Sequence, residues 1–282
     1  MSLISASELA SRLDEPDLRI VDVRWYLGKP GAGRAAYDEG HLPGAIFIDL
    51  DRDLVAAAGP GRHPLPSPSD FAAALGRAGI GDGDFVVAYD DVGGWVAARL
   101  WWMLDNLGHQ RVAVLDGGLP AWVELGLPLT GEVGQRQPRA LHLAPDWSRI
   151  VDRDGLLGRL GADAPPTVLD ARAGPRYRGE VEPIDPAAGH IPTAVSAPTA
   201  DNLGPDGRFL APDALRERYR SLGADSGDVV TSCGSGVSAC HDALAMRLAG
   251  LPDPILYPGS WSDWSTAGYP VAVGPDPGSL PE

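Results

Sequence analysis

VVTSCGSGVSACHDALAMRLAG (residues 229–250) opens as an apolar, β-branched run, breaks at a cysteine followed by two nearby glycines, and continues as a helical pattern. Strand, glycine turn and helix in that order form the βα half of a parallel crossover unit. The same rhythm surrounds it, as TVLDAR (167–172), PDALRERYRSLG (212–223) and PILYPG (254–259). It also runs through the N-terminal half as RIVDVR (19–24), SDFAAALGRAG (69–79), FVVAY (85–89), VAARLWWMLDNLG (96–108) and RVAVLD (111–116). Alternation of this kind predicts an α/β class with central, mostly parallel sheets flanked by helices.

The two halves match block by block. IVDVR (20–24) answers VLDAR (168–172), and GHLPGAIFIDL (40–50) answers GHIPTAVSAPT (189–199). VVAYDD (86–91) answers VVTSCG (229–234), and DGGLPAW (116–122) answers PGSWSDW (258–264). Four blocks in the same order predict a duplicated domain, each copy about 130 residues long and of ordinary domain size. The polar, proline-containing stretch around GEVGQRQPRALHLAPDWSR (131–149) reads as the connection. The expected division is therefore a domain over 1–135, a linker over 136–149 and a second domain over 150–282. In this register Cys233 falls opposite Asp90, so only the second copy offers a nucleophile at the end of that strand.

Composition narrows the chemistry. A formal charge of -15 over 282 residues argues against nucleic acid or an anionic membrane as partner, because both require a basic face. The two cysteines, Cys233 and Cys240, make no disulfide framework, and no CxxC pair or His/Cys cluster has zinc spacing, so no metal is expected. MSLISASELASRLDEPDLRIVDVRW lacks a basic region followed by an apolar one, and no stretch is long and apolar enough to span a bilayer. A reducing cytoplasm is the expected location.

The active loop would be Gly234, Ser235, Gly236, Val237 and Ser238. Its glycines allow successive N–H groups to turn inward as an anion-binding nest, and a helix from about Val237 adds its positive N-terminal end. Such a cradle favours the thiolate, the attacking form of Cys233. A cysteine phosphatase needs an arginine six residues after the nucleophile to clamp phosphate; that position is Ala239. Sulfur transfer through a persulfide needs no such clamp. Cys240 lies among alanines on the helical stretch and reads as a small buried hydrophobe.

With these motifs in hand, the whole chain resembles the tandem-domain rhodanese and 3-mercaptopyruvate sulfurtransferase family. DVRWY, GHLPGA with GHIPTA, CGSGVSACH and GSWSDW carry the resemblance. It implies two rhodanese-like domains, the first catalytically silent and the second forming a persulfide on Cys233, with no cofactor. The sulfur donor would be a small molecule, and the acceptor cyanide or a thiol such as thioredoxin or a small thiol. Mercaptopyruvate enzymes of the family read Cys-Gly-Ser-Gly, as do Cys233 to Gly236 here, and the Ser235 hydroxyl could support the developing pyruvate enolate. The resemblance also implies that Arg176, in GPRYRG, binds the donor carboxylate, with Arg178 as the candidate to stand in for the second arginine that mercaptopyruvate enzymes often carry after a Glu-Pro pair. His41 is expected to partner Ser235, Asp38 lies near it in sequence, and Trp25 is expected to line the donor site. Ile184 follows Glu182 and Pro183 where mercaptopyruvate enzymes often carry a second arginine, which leaves thiosulfate open as the alternative donor.

Overall fold

The computed structural model describes residues 2–134 and 136–281, in two compact units. The first unit contains β1 (Leu3–Ile4), β2 (Leu18–Asp22), β3 (Ile46–Phe47), β4 (Phe85–Tyr89) and β5 (Val112–Leu115). They form one parallel sheet in the order β1-β5-β4-β2-β3. The second unit contains β6 (Thr167–Asp170), β7 (Val195–Ser196), β8 (Val229–Ser232) and β9 (Ile255–Leu256), parallel in the order β7-β6-β8-β9. Ile150 makes a single parallel bridge to Leu256, at the edge that β1 occupies in the first sheet.

Burial explains why the strands are apolar runs rather than alternating ones. All five residues of β2 and of β4 are buried, as expected for parallel strands covered on both faces. In the second sheet the pleat sorts neighbours into separate cores. Val168 and Val230 pack with Tyr257, Trp261 and Trp264, whereas Leu169 and Val229 pack with Leu215, Tyr219 and Met246. Truncating a filler such as Leu169 to alanine should cost about 2–5 kcal/mol.

The duplication extends to the polar staples. Asp22 holds Arg24, and Asp170 holds Arg172, each through paired bonds in the interior. Those arginines reach the Gly40 and Gly189 carbonyls, at 2.8 and 2.7 Å. Trp122 donates to the Pro128 carbonyl at 2.9 Å, and Trp264 to that of Pro270 at 2.7 Å.

The units are not consecutive in sequence. Ala57–Leu65 counts with the second unit, and Pro205–Arg208 with the first. Residues 136–148 carry no regular element and count with the first unit, where Arg139 donates to Asp84 at 2.6 Å and Trp147 stacks near Trp102. Among the described residues no helix is long and apolar enough to cross a membrane.

Candidate active site

Cys233 follows β8 directly, at the carboxyl end of a central parallel strand, where open α/β sheets gather ligands. The loop after it turns through Gly236 at φ +76°, and a Cβ there would stand 2.3 Å from the Pro258 carbonyl oxygen. Only glycine fits that turn. The turn aims the Gly236 N–H at Cys233 Sγ, 3.1 Å away, and Ala239–Leu248 then continues as a helix, two residues later than the sequence predicts.

The matching loop of the first unit displays what such a backbone binds. The Asp90 carboxylate accepts four backbone N–H groups, from Val92, Gly94, Val96 and Ala97, at 2.8–3.0 Å. A side-chain anion fills the nest in that copy. In the second copy the same strand end presents sulfur.

The next helix pins the loop from the other side. Trp261 and Ser262 donate their N–H groups to the Cys233 and Gly234 carbonyls, both at 2.9 Å. Ser260 Oγ accepts the Cys233 N–H at 3.0 Å and lies 3.9 Å from Sγ. Ser260 holds φ +52°, close to the +56° of its counterpart Gly118. A left-handed serine is a strained choice, and its hydroxyl lies beside the Cys233 sulfur.

Ser235, also buried, sets its Oγ 2.7 Å from Nδ1 of His63. The expectation that His41 partners Ser235 is therefore corrected. His41 is fully buried in the first unit, stacked on Tyr37, with ring nitrogens 2.7 Å from the Tyr37 carbonyl and 3.2 Å from that of Glu132. His190 repeats this arrangement on Tyr177 with the Tyr177 and Asp276 carbonyls. The GH pair is a structural staple in both copies. Asp38 pairs with Arg34 at 2.8 Å.

Charges of both signs alternate near the Cys233 loop. Arg172 is buried beside Asp170, with Glu182 at 3.6 Å. Burial works against its charge, but Asp170, Glu182 and Cys233 together outweigh burial, so the guanidinium is held above its ordinary value. Arg176 forks onto Glu182 at 2.8 and 2.9 Å and reaches Asp185 at 3.1 Å. Arg62 pairs with the other Asp185 oxygen and donates to the Gly234 carbonyl at 3.3 Å. Burial pushes the Asp185 carboxyl up and Glu182 adds to this, against the pull of Arg62 and Arg176. Arg178 turns instead to Glu180 at the surface.

Among the residues expected at the site, Cys233, Gly234, Ser235, Gly236, Val237, Ser238 and Arg176 share the second unit. His41 and Trp25 belong to the first, where Trp25 donates to Asp51 at 2.8 Å and meets Trp95 edge to face. Cys240 is buried, its Sγ donating to the Gly236 carbonyl at 3.4 Å, so it braces the loop. His63, Arg62, Asp185 and Ser260 were not found by sequence reasoning. A cavity of about 800 Å³ in the first unit, beside helix Pro68–Arg77, holds no thiol.

A family model described as a rhodanese-like domain matches the chain twice, over residues 5–125 and 153–267. A Pseudomonas aeruginosa protein named "Probable 3-mercaptopyruvate sulfurtransferase" is 49% identical over 279 residues, 96% of this chain and 98% of the relative. The mouse thiosulfate sulfurtransferase is 35% identical over 275 residues, 93% of this chain and 91% of the relative. Among solved structures, SseA from Escherichia coli, described among 3-mercaptopyruvate sulfotransferases, matches with a TM-score of 0.80 at 30% identity, covering 93% of this chain and all of that one.

Proposed function

The chain belongs to the rhodanese family of sulfurtransferases, and on that premise we propose that it moves sulfur from 3-mercaptopyruvate, through a persulfide on Cys233, to a thiol or cyanide. The observation that carries the donor assignment is the pair formed by Ser235 Oγ and His63 Nδ1 beside the nucleophile. Thiosulfate would leave as sulfite and needs no group to manage an enolate. Mercaptopyruvate does.

In the proposed cycle Cys233 Sγ attacks the donor sulfur. The carbon–sulfur bond breaks with its electron pair moving into the pyruvate enolate, and the Cys233–sulfur bond forms. The Ser235 hydroxyl, polarised by His63, donates to the developing enolate oxygen. The proton of the donor thiol ends on the methyl carbon of pyruvate, which balances the step. The Gly236 N–H faces sulfur throughout and supports its negative charge. A thiolate acceptor then attacks the outer sulfur, and Cys233 leaves as thiolate. A thioredoxin-like or small thiol in a reducing cytoplasm suits this half-reaction. The second domain carries the chemistry, and the first, with Asp90 in its cradle, is catalytically silent.

The test compares pyruvate release from 3-mercaptopyruvate with thiocyanate formation from thiosulfate, on the wild type and Cys233→Ser. Preferred turnover of mercaptopyruvate, lost in the variant, is expected. Preference for thiosulfate would make Ile184 a better guide to the donor than Ser235. A Cys233→Ser variant that still turns over either donor would overturn the persulfide.

A further inference from the structure

Asp242 lies nine residues after Cys233, on the helix Ala239–Leu248, and is fully buried. Arg99 holds the matching place after Asp90 in the first unit and is equally buried. The fold accepts a charged residue of either sign here and does not by itself call for an acid.

Hydrogen bonds reach only one oxygen of Asp242. Asn202, at the end of the 3-10 helix Thr199–Asn202, donates from Nδ2 to Asp242 Oδ1 at 2.8 Å and stands 3.2 Å from His241 Nδ1. An amide nitrogen carries two protons, so these contacts use both. Tyr219, on the helix Pro212–Ser221, has one proton to share between Asn202 Oδ1 at 3.0 Å and Asp242 Oδ1 at 3.3 Å. Asp242 Oδ2 is buried with no hydrogen-bond partner among the described residues. An ionised carboxylate would leave that oxygen charged and without a donor, whereas a neutral acid is far less costly to bury.

No ion pair relieves the group among the described residues. Arg218, beside Tyr219, favours the charge, but its Nη2 donates to the Pro198 carbonyl at 2.8 Å and faces Asp201 at 3.9 Å. Asp170, at the end of β6, opposes the charge. The helix of Asp242 adds His241, and β8 and β9, which pack on it, carry no titratable side chain. Burial is the largest influence and pushes the carboxyl up to about 7.

The first turn of the helix links this polar island to Cys233. Asn202 touches two consecutive residues of that turn, His241 and Asp242. The His241 N–H donates to the Ser238 carbonyl at 3.0 Å, and the Cys240 N–H to that of Val237 at 3.2 Å. Cys240 Sγ donates to the Gly236 carbonyl at 3.4 Å, and the N–H of the same Gly236 faces Cys233 Sγ at 3.1 Å. Whatever moves the turn therefore moves the groups around the sulfur.

We propose that Asp242 is a positioning residue for the Cys233 loop that works as a neutral acid: protonated, it lets Asn202 clamp the first turn of its helix, and ionised, it draws water to Oδ2 and loosens that turn. Sulfur transfer then depends on a proton held outside the reacting centre. The kinetic part of this assignment rests on the Cys233 persulfide reading, and the protonation part does not.

The experiment compares the full chain with Asp242→Asn and Asn202→Ala between about pH 5.5 and 8.5. Infrared spectra of the wild type minus Asp242→Asn should show the carbonyl stretch of a protonated acid, fading as pH rises through about 7. Asn202→Ala removes a donor to the charged form, so its midpoint should lie higher. Single-turnover persulfide formation from saturating 3-mercaptopyruvate is the second readout. The ratio of the wild-type rate to that of Asp242→Asn should fall by about threefold or more across the range, because asparagine cannot ionise. Titration of the donor thiol or of Cys233 enters both rates and cancels. If Asp242→Asn does not fold, Asn202→Ala takes its place: with the clamp gone it should be slow throughout, so the wild-type advantage over it should likewise shrink as pH rises. Absence of the acid band at low pH overturns the neutral acid, and a flat rate ratio overturns the positioning role. A wild type that forms no persulfide overturns the donor reading instead. Deuterium exchange over residues 236–242, corrected for its intrinsic pH dependence, then decides: it should quicken relative to Asp242→Asn as pH rises, and equal exchange overturns the proposal.

Discussion

Ser260 illustrates what a single residue does for the Cys233 loop. Its counterpart Gly118 adopts nearly the same backbone angle without a side chain, so the fold alone does not need the serine. A left-handed L-residue costs about 1–2 kcal/mol. Against that stands the hydroxyl that accepts the buried Cys233 N–H, a group costing about 1–3 kcal/mol if left unmade. Ser260→Gly should therefore change the melting temperature little, because relief of strain offsets the lost bond. It should nevertheless slow single-turnover persulfide formation by roughly tenfold, with KM nearly unchanged, as the sulfur loses its fixed position. Rapid-mixing kinetics beside thermal unfolding would check this; an unchanged rate would remove Ser260 from the site. The histidines mark the limit of legibility at this scale. GH at 40–41 and 189–190 is conspicuous because it repeats, and a feature serving both copies equally is structural. His63 has no periodic pattern around it, only RHPLP, and its partner is 172 residues away.

At the scale of elements, the parallel strands and the helix after Cys233 were legible because burial on both faces makes their apolar runs continuous. The two-residue strands β1, β3 and β7 were not marked as strands in the same way, since so short a run contains no period. The helix Ala239–Leu248 also buries a charge, which composition cannot reveal. Its Asp242 is fully buried, accepts from Asn202 at 2.8 Å, and has an Oδ2 without a hydrogen-bond partner among the described residues. Burial pushes its carboxyl from 3.8 up to about 7, against Arg218, Asn202 and Tyr219, which favour the charge. The folded state then holds this proton more tightly than the unfolded chain does. Its stabilising contribution is full below the unfolded value and fades as pH rises through about 7. Relative to Asp242→Asn, the wild type should lose roughly 2–3 kcal/mol of unfolding free energy between pH 5 and 8. Urea unfolding at the two pH values measures the difference, and parallel behaviour of the two proteins would exclude the buried proton. The loop before this helix is equally constrained. Gly236→Ala places a Cβ 2.3 Å from the Pro258 carbonyl oxygen at a positive φ, so kcat should fall by about a hundredfold or more together with thermal stability. Activity and melting curves that match the wild type would contradict this account of the turn.

At the scale of the whole molecule, the duplication was legible from four matched blocks, but the exchange of segments was not. A sequence repeat orders its blocks along the chain and says nothing about which copy a proline-rich loop packs with. Arg62 and His63 fall in Ala57–Leu65, in the N-terminal half of the sequence, yet count with the unit that carries Cys233. Arg208, in the corresponding stretch of the second half, counts with the first unit and binds Glu124 at 2.7 Å. This gives a physical reason for the copy without the cysteine to stay in the chain, because it supplies His63, the proposed acid–base partner of Ser235. Cutting the chain at the apparent linker should then separate Cys233 from His63. A fragment over 150–282 retains Cys233, Ser235, Arg176 and the whole of β6 to β9, so far-UV circular dichroism should report a helix and sheet signal. Its turnover of mercaptopyruvate should nevertheless fall at least about a hundredfold, the usual contribution of a positioned acid–base group. Adding a fragment over 1–149 should restore part of that loss, and His63→Ala in the added fragment should abolish the restoration. A lone second half that works at the full rate would show that His63 takes no part in the chemistry.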